Sequence, residues 1–159
     1  MKHTINQLQK ELATYPPKEV LEICVKLAKF KKENKAYLEY ILFGSADEQE
    51  YIKEGKIHLE EVFATISRKS AYTTKKGLQK VVRHLTKLIK NSKSKQTEIE
   101  LRIFFCNQIK KARINLDSSK IISNLYYREI DKIKAAYAKL HEDLQYDYHS
   151  DFEKLGIGF

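Results

Sequence analysis

The stretch "KKGLQKVVRHLTKLIK", residues 75–90, decides the fold class. Lys76, Lys80, Arg83, Lys87 and Lys90 recur at spacings of four, three, four and three. Leu78, Val81, Val82, Leu85, Leu88 and Ile89 fill the gaps. That period is the period of an α-helix, with a cationic front and an apolar back. On a wheel of 100° per residue the five cations fall within about 40° of Lys76, and the apolar set centres near 180°. A helix of this kind needs other helices to cover its back.

The flanking sequence supplies them. Towards the N-terminus, Thr4 with Gln7 makes a capping box for a first helix, to about Thr14. Pro16-Pro17 stops it and starts a second, in which Val20, Leu21, Cys24, Leu27 and Ala28 form an apolar stripe. "ENKA" at 33–36 reads as a turn, and "AYLEYILF" at 36–43 as a third helix ended by Gly44. Ser45 with Glu48 forms a second capping box. Gly55 is expected to break or bend the region, with a helix resuming in "HLEEVFATISRKS" at 58–70 and "AYTTKK" at 71–76 read as a loop.

Towards the C-terminus, "NSKSK" at 91–95 is a loop. Thr97 with Glu100 caps "EIELRIFFCNQIKKARI" at 98–114, apolar on most sides and so expected to be the most buried element. Asp117 or Ser118 opens one long last helix, with Tyr126, Ile130, Ile133, Tyr137, Leu140 and Leu144 as its stripe. No alternating strand pattern occurs. The expected fold is all-α, a single domain over residues 1–159 of about six or seven helices. It is arranged as an irregular bundle or a short solenoid-like stack of helical hairpins. "LAKFKK" at 27–32 echoes "LTKLIK" at 85–90, so residues 17–43 and 76–106 could be duplicated hairpins. Compositional likeness of Lys-rich amphipathic helices explains the echo better.

Composition agrees with a globule: 159 residues, 42% apolar, five Gly and two Pro. The start, "MKHTINQLQKEL", has no apolar signal region, and the longest apolar runs, "YILF" at 40–43 and "IFFC" at 103–106, are far too short to span a bilayer. The expected location is cytoplasmic, with no membrane partner. Cys24 and Cys106 sit in apolar surroundings and are expected to be buried, reduced thiols.

The net charge of +9 is uneven. Residues 63–113 hold fourteen basic and two acidic side chains, +12, whereas residues 47–62 hold two and six, −4. Such asymmetry suits an acidic partner. Of the 30 basic residues only five are Arg, the side chain best suited to bidentate phosphate and base contacts, which weakens a nucleic-acid reading.

Signs of catalysis are scarce. The glycines, at 44, 55, 77, 156 and 158, make no phosphate loop, and neither G-x-S-x-G nor H-E-x-x-H is present. In "LHEDLQYDYHSDFEKLG" at 140–156, His141, Asp143, Asp147 and His149 offer ligands for a divalent metal, with Asp143, Asp147 and Asp151 four apart on one expected helix face. A solvated acidic face is the more ordinary meaning of that spacing. No cofactor is expected.

"NQLQKELATYPPKEVLEICVKLAKFKKENKAYLEYILF" near the start, together with "YDYHSDF" near the end, resembles an uncharacterised family of small all-helical bacterial proteins. The resemblance implies a helical bacterial protein and carries no activity. The expected function is therefore non-catalytic: a binding or scaffold protein whose partner is another protein or a second copy. The alternative is sequence-nonspecific nucleic-acid binding through Lys76, Lys80, Arg83, Lys87 and Lys90.

Overall fold

The computed structural model describes residues 2–158, and every regular element among them is helical. They form nine α-helices, more than the six or seven expected, and cluster as two compact units, Met1–Phe43 and Gly44–Phe159.

The first unit contains α1 (Ile5–Leu12), α2 (Pro17–Phe30) and α3 (Lys32–Leu42). The Thr4 capping box forms: Gln7 N–H donates to Thr4 Oγ1 at 3.3 Å, and Thr4 N–H to Gln7 Oε1 at 2.8 Å. Pro17 takes the first helical position of α2, where its missing N–H costs nothing. The break between α2 and α3 falls at one extended residue, Lys31, and not at "ENKA". Asn34 lies inside α3, and its Nδ2 donates to the Leu27 carbonyl at 2.8 Å, satisfying an end group of α2. None of the three helices has a buried residue. Cys24 is accordingly exposed, not buried as its apolar neighbours suggested.

The second unit is built around α6 (Lys95–Lys111), which packs on α4 (Glu48–Ala64), α5 (Ala71–Ser92), α7 (Lys120–Tyr137) and α9 (His149–Leu155). Eight of the 17 residues of α6 are buried, as its nearly all-round apolar pattern required. Phe105 and Cys106 on α6 join Leu78 and Leu85 of α5, Ile122 and Ile133 of α7, Leu59 of α4 and Phe152 of α9 in one core. Burial pushes the Cys106 thiol up to about 12, so it stays protonated and inert.

Gly55 does not break its helix. It is buried in the middle of α4, where a Cβ would stand 3.2 Å from Leu101 Cδ2. The missing side chain brings α4 close to α6.

Gly77, in α5, makes a sharper case. A Cβ there would lie 2.7 and 2.8 Å from Ile66 Cγ2 and Cγ1. Gly→Ala in a helix ordinarily gains about 0.5–1 kcal/mol. Here overpacking, at about 1–3 kcal/mol, outweighs that gain. Gly77→Ala is expected to destabilise by about 1 kcal/mol in urea unfolding, and to become stabilising in an Ile66→Ala background. A gain in the wild-type background would contradict the packing.

One ionic cluster is buried inside this unit. Arg102 bonds Glu129 on α7 and Glu98 on its own helix, at 3.0 Å to the latter, and Lys132 Nζ lies 2.8 Å from Glu129 Oε1. Burial alone would raise the Glu98 carboxyl, but hydrogen bonds from Lys95 and Arg102 hold it below its ordinary value.

The long last helix divides. α7 ends at Tyr137, and α8 (Glu142–Tyr146) and α9 follow as separate pieces. Gln145 Nε2 donates to the Tyr137 carbonyl at 3.0 Å and the Leu140 carbonyl at 3.1 Å, which stabilises the break by satisfying the orphan end of α7. Phe152 and Leu155 then turn into the core.

Candidate functional site

The basic ridge is carried by α5, 22 residues long. Ser70 caps α5 with Thr73 in a reciprocal box, so the helix starts at Ala71 and takes in the "AYTTKK" stretch read from sequence as a loop. Thr74, Leu78, Val81 and Leu85 are buried on its back. Lys76, Lys80, Arg83, Lys87 and Lys90 are all exposed on its front. This is the division that the 3.6-residue period implied.

Several carboxylates of the acidic segments are engaged with other partners. Glu50 pairs with Lys53, Glu100 with Lys56, Glu98 with Lys95 and Arg102, and Asp151 with Lys154. Glu48 accepts from Ser92 and Thr97. None of the ion pairs found among the described residues involves Lys76, Lys80, Arg83 or Lys90.

Two additions escaped the sequence. Tyr72, exposed one turn before Lys76, lies under two ammonium groups: Lys75 Nζ is 4.8 Å and Lys76 Nζ 5.6 Å from its ring centre. It was hidden by the loop reading of 71–76. Beside the ridge, a groove of about 300 Å³ runs between α5 and α7, lined among others by Gln79, Val82, Asn124, Arg128 and Lys132. Arg128 therefore extends the positive surface onto a second helix, while Lys132 beside it is paired with Glu129. Only tertiary packing brings them there, so no pattern in the sequence marks them.

On the other flank His84 meets His58 of α4, with Nδ1 and Nε2 2.9 Å apart. One ring must donate and the other accept, so the pair cannot be doubly protonated without losing its bond. Burial, then His58, then Lys87, Lys80 and Arg83 hold His84 below its ordinary 6.5. The unfolded chain thus binds the proton more readily. Stability is fully present above about pH 6.5 and falls as pH drops from there through the folded-state value. A series of urea midpoints from pH 7.5 down to 5 is expected to show this fall. His84→Gln should flatten it, and an unchanged slope in that variant would contradict the assignment.

The candidate metal ligands do not converge. His141 caps α8 and pairs with Asp143 at 3.3 Å on an exposed edge. Asp147 instead lines a hollow of about 420 Å³ with Lys56, Glu100 and Asp151. His149 Nε2 lies 3.3 Å from Tyr137 Oη, and its ring meets that of Tyr146 at 5.1 Å, tilted by 48°. The four-residue spacing put these groups on one face only if the helix ran on, and it is broken at 138–141 and again at 147–148. Among the described residues no group of three or more His, Cys, Asp or Glu is placed to hold a metal ion. No helix among them is long and apolar enough to cross a membrane.

Compared with protein families, curated proteins and solved structures, the chain matches none.

Proposed function

We propose that the chain is a non-catalytic binding protein that holds nucleic acid by its phosphates along α5, without reading base sequence. The observation carrying this reading is the exposed cationic front of α5, of which Lys76, Lys80, Arg83 and Lys90 enter none of the ion pairs found among the described residues. Lysines dominate the ridge, and lysine acts as a point charge on phosphate, which suits positioning and not base readout. Tyr72 adds one exposed ring on which an unpaired base can stack. The likeness of both chain ends to a helical bacterial family adds no activity to this reading. This reading takes up the alternative in place of the protein partner first expected for the chain.

Phosphate binding releases counterions, so affinity must fall steeply with salt. Five phosphate contacts predict a slope near −4.5 in log affinity against log salt, roughly a 500-fold loss between about 50 and 200 mM. Fluorescence anisotropy of labelled single- and double-stranded oligonucleotides measures this. No binding to either at 50 mM salt would refute the proposal.

A further inference from the structure

The groove between α5 and α7 adjoins the ridge, and both its walls belong to the second unit. With Lys76 at 0° on a wheel of 100° per residue, Gln79 falls at about −60° and Val82 at about −120°. Tyr72, Arg83 and Lys90 fall between about −20° and −40°, so they stand on the groove side of the ridge. His84 lies on the opposite flank, at about 80°.

The lining differs in kind from the ridge. Val82 and Leu125, both packed against the core, give it an apolar wall. Gln79 and Asn124 bring one amide from each helix. Glu129 is the one carboxylate among the lining residues, and Arg102 and Lys132 hold it, so it does not oppose an incoming strand. Arg128 is exposed and enters none of the ion pairs found among the described residues. The volume, about 300 Å³, is at the lower end for a small-ligand site.

We propose, on the phosphate-binding reading of α5, that this groove takes an unpaired nucleobase from the strand lying along the ridge, so that the protein prefers single-stranded to double-stranded nucleic acid. A base has apolar faces and a polar edge. The Val82–Leu125 wall suits one face, and the planar guanidinium of Arg128 suits stacking on the other. Each amide offers both a donor and an acceptor, so Gln79 and Asn124 can serve the edge of any base. That tolerance agrees with binding that does not read sequence. Tyr72 offers a second stacking surface seven residues before Gln79, about 10 Å along the helix. Charge alone would favour the duplex, whose denser phosphates release more counterions per contact. A single-strand preference is therefore the mark of the groove and not of the ridge.

Fluorescence anisotropy at about 50 mM salt, with three labelled probes of equal length, is the test. They are oligothymidylate, a duplex, and a single deoxyribose-phosphate strand carrying abasic sites in place of bases. The wild type is expected to bind oligothymidylate at least about tenfold more tightly than either of the others, the effect of stacking one base. Gln79→Leu/Asn124→Leu removes both amides and fills the groove without changing net charge. It is expected to cut the ratio of single- to double-strand affinity at least about fivefold. If far-UV circular dichroism shows that this variant loses helix, Asn124→Leu alone, at an exposed position, decides by the same ratio. Equal binding of oligothymidylate and the abasic strand would overturn the groove and leave the ridge standing. A ratio unchanged in the deciding variant would overturn it equally, by placing the base elsewhere, on Tyr72 for one. Absence of binding to all three probes would remove the ridge reading and the groove with it.

Discussion

Glu129→Ala is expected to lower folding stability by about 3–5 kcal/mol, a large share of what a domain of this size possesses. The carboxylate is 2% exposed and bonds Arg102, itself 6% exposed, from the neighbouring helix. Removing it strands a buried guanidinium whose remaining partner is Glu98. The large cost belongs to that stranded charge, not to the net worth of the pair. A double replacement therefore separates the two. Arg102→Met/Glu129→Leu fills the same space without charge and is expected to recover most of the loss. Urea unfolding of the wild type, the single and the double variant measures both quantities. A single-variant loss under about 1 kcal/mol would show that water reaches Arg102 and that the pair is not buried in solution.

The acid limb of stability comes from the same cluster. Glu98 is held below its ordinary value, so its contribution is present above the unfolded carboxylate value near 4.5 and is lost as pH falls through the folded one. His84 acts earlier, from about pH 6.5 downward. The two therefore lose their contributions in separate pH windows.

Periodicity made the all-α class legible, and the core of the second unit with it. The backs of α5 and α6 bury the side chains their spacing assigns: Leu78, Val81 and Leu85 on one, Ile99, Phe105 and Ile109 on the other. Local punctuation was less reliable, because packing overrules it. Gly55 reads as a breaker, yet tight contact with Leu101 keeps it within a continuous helix. The Tyr126–Leu144 stripe reads as one helix, yet Gln145 folds back onto the carbonyls of Tyr137 and Leu140 and supports an early end. Cys24 reads as buried because its neighbours are apolar, but a stripe shows only which face prefers cover, not whether cover exists.

The candidate site divides along the same line. The five cations of α5 share one helix, so spacing alone locates them. Tyr72 depends on where the helix starts, which the Ser70–Thr73 box decides. Arg128 and Lys132 depend on α7 lying beside α5, a long-range contact with no local signature. The candidate metal ligands are scattered for the opposite reason: their spacing shares one face only on a continuous helix, and the chain breaks between them.

The central claim is that the ridge, and not net positive charge, binds nucleic acid. Lys80→Glu/Arg83→Glu/Lys87→Glu changes net charge by six units, and so does Lys111→Glu/Lys134→Glu/Lys139→Glu, placed on exposed lysines outside the ridge. Anisotropy with one labelled oligonucleotide at about 50 mM salt compares both variants with the wild type. Losing three phosphate contacts and adding three repulsive charges should weaken the ridge variant by at least about 100-fold, with a shallower salt dependence, while the control loses less than about tenfold. Equal losses in the two variants would contradict the account, because the ridge would then be ordinary positive surface.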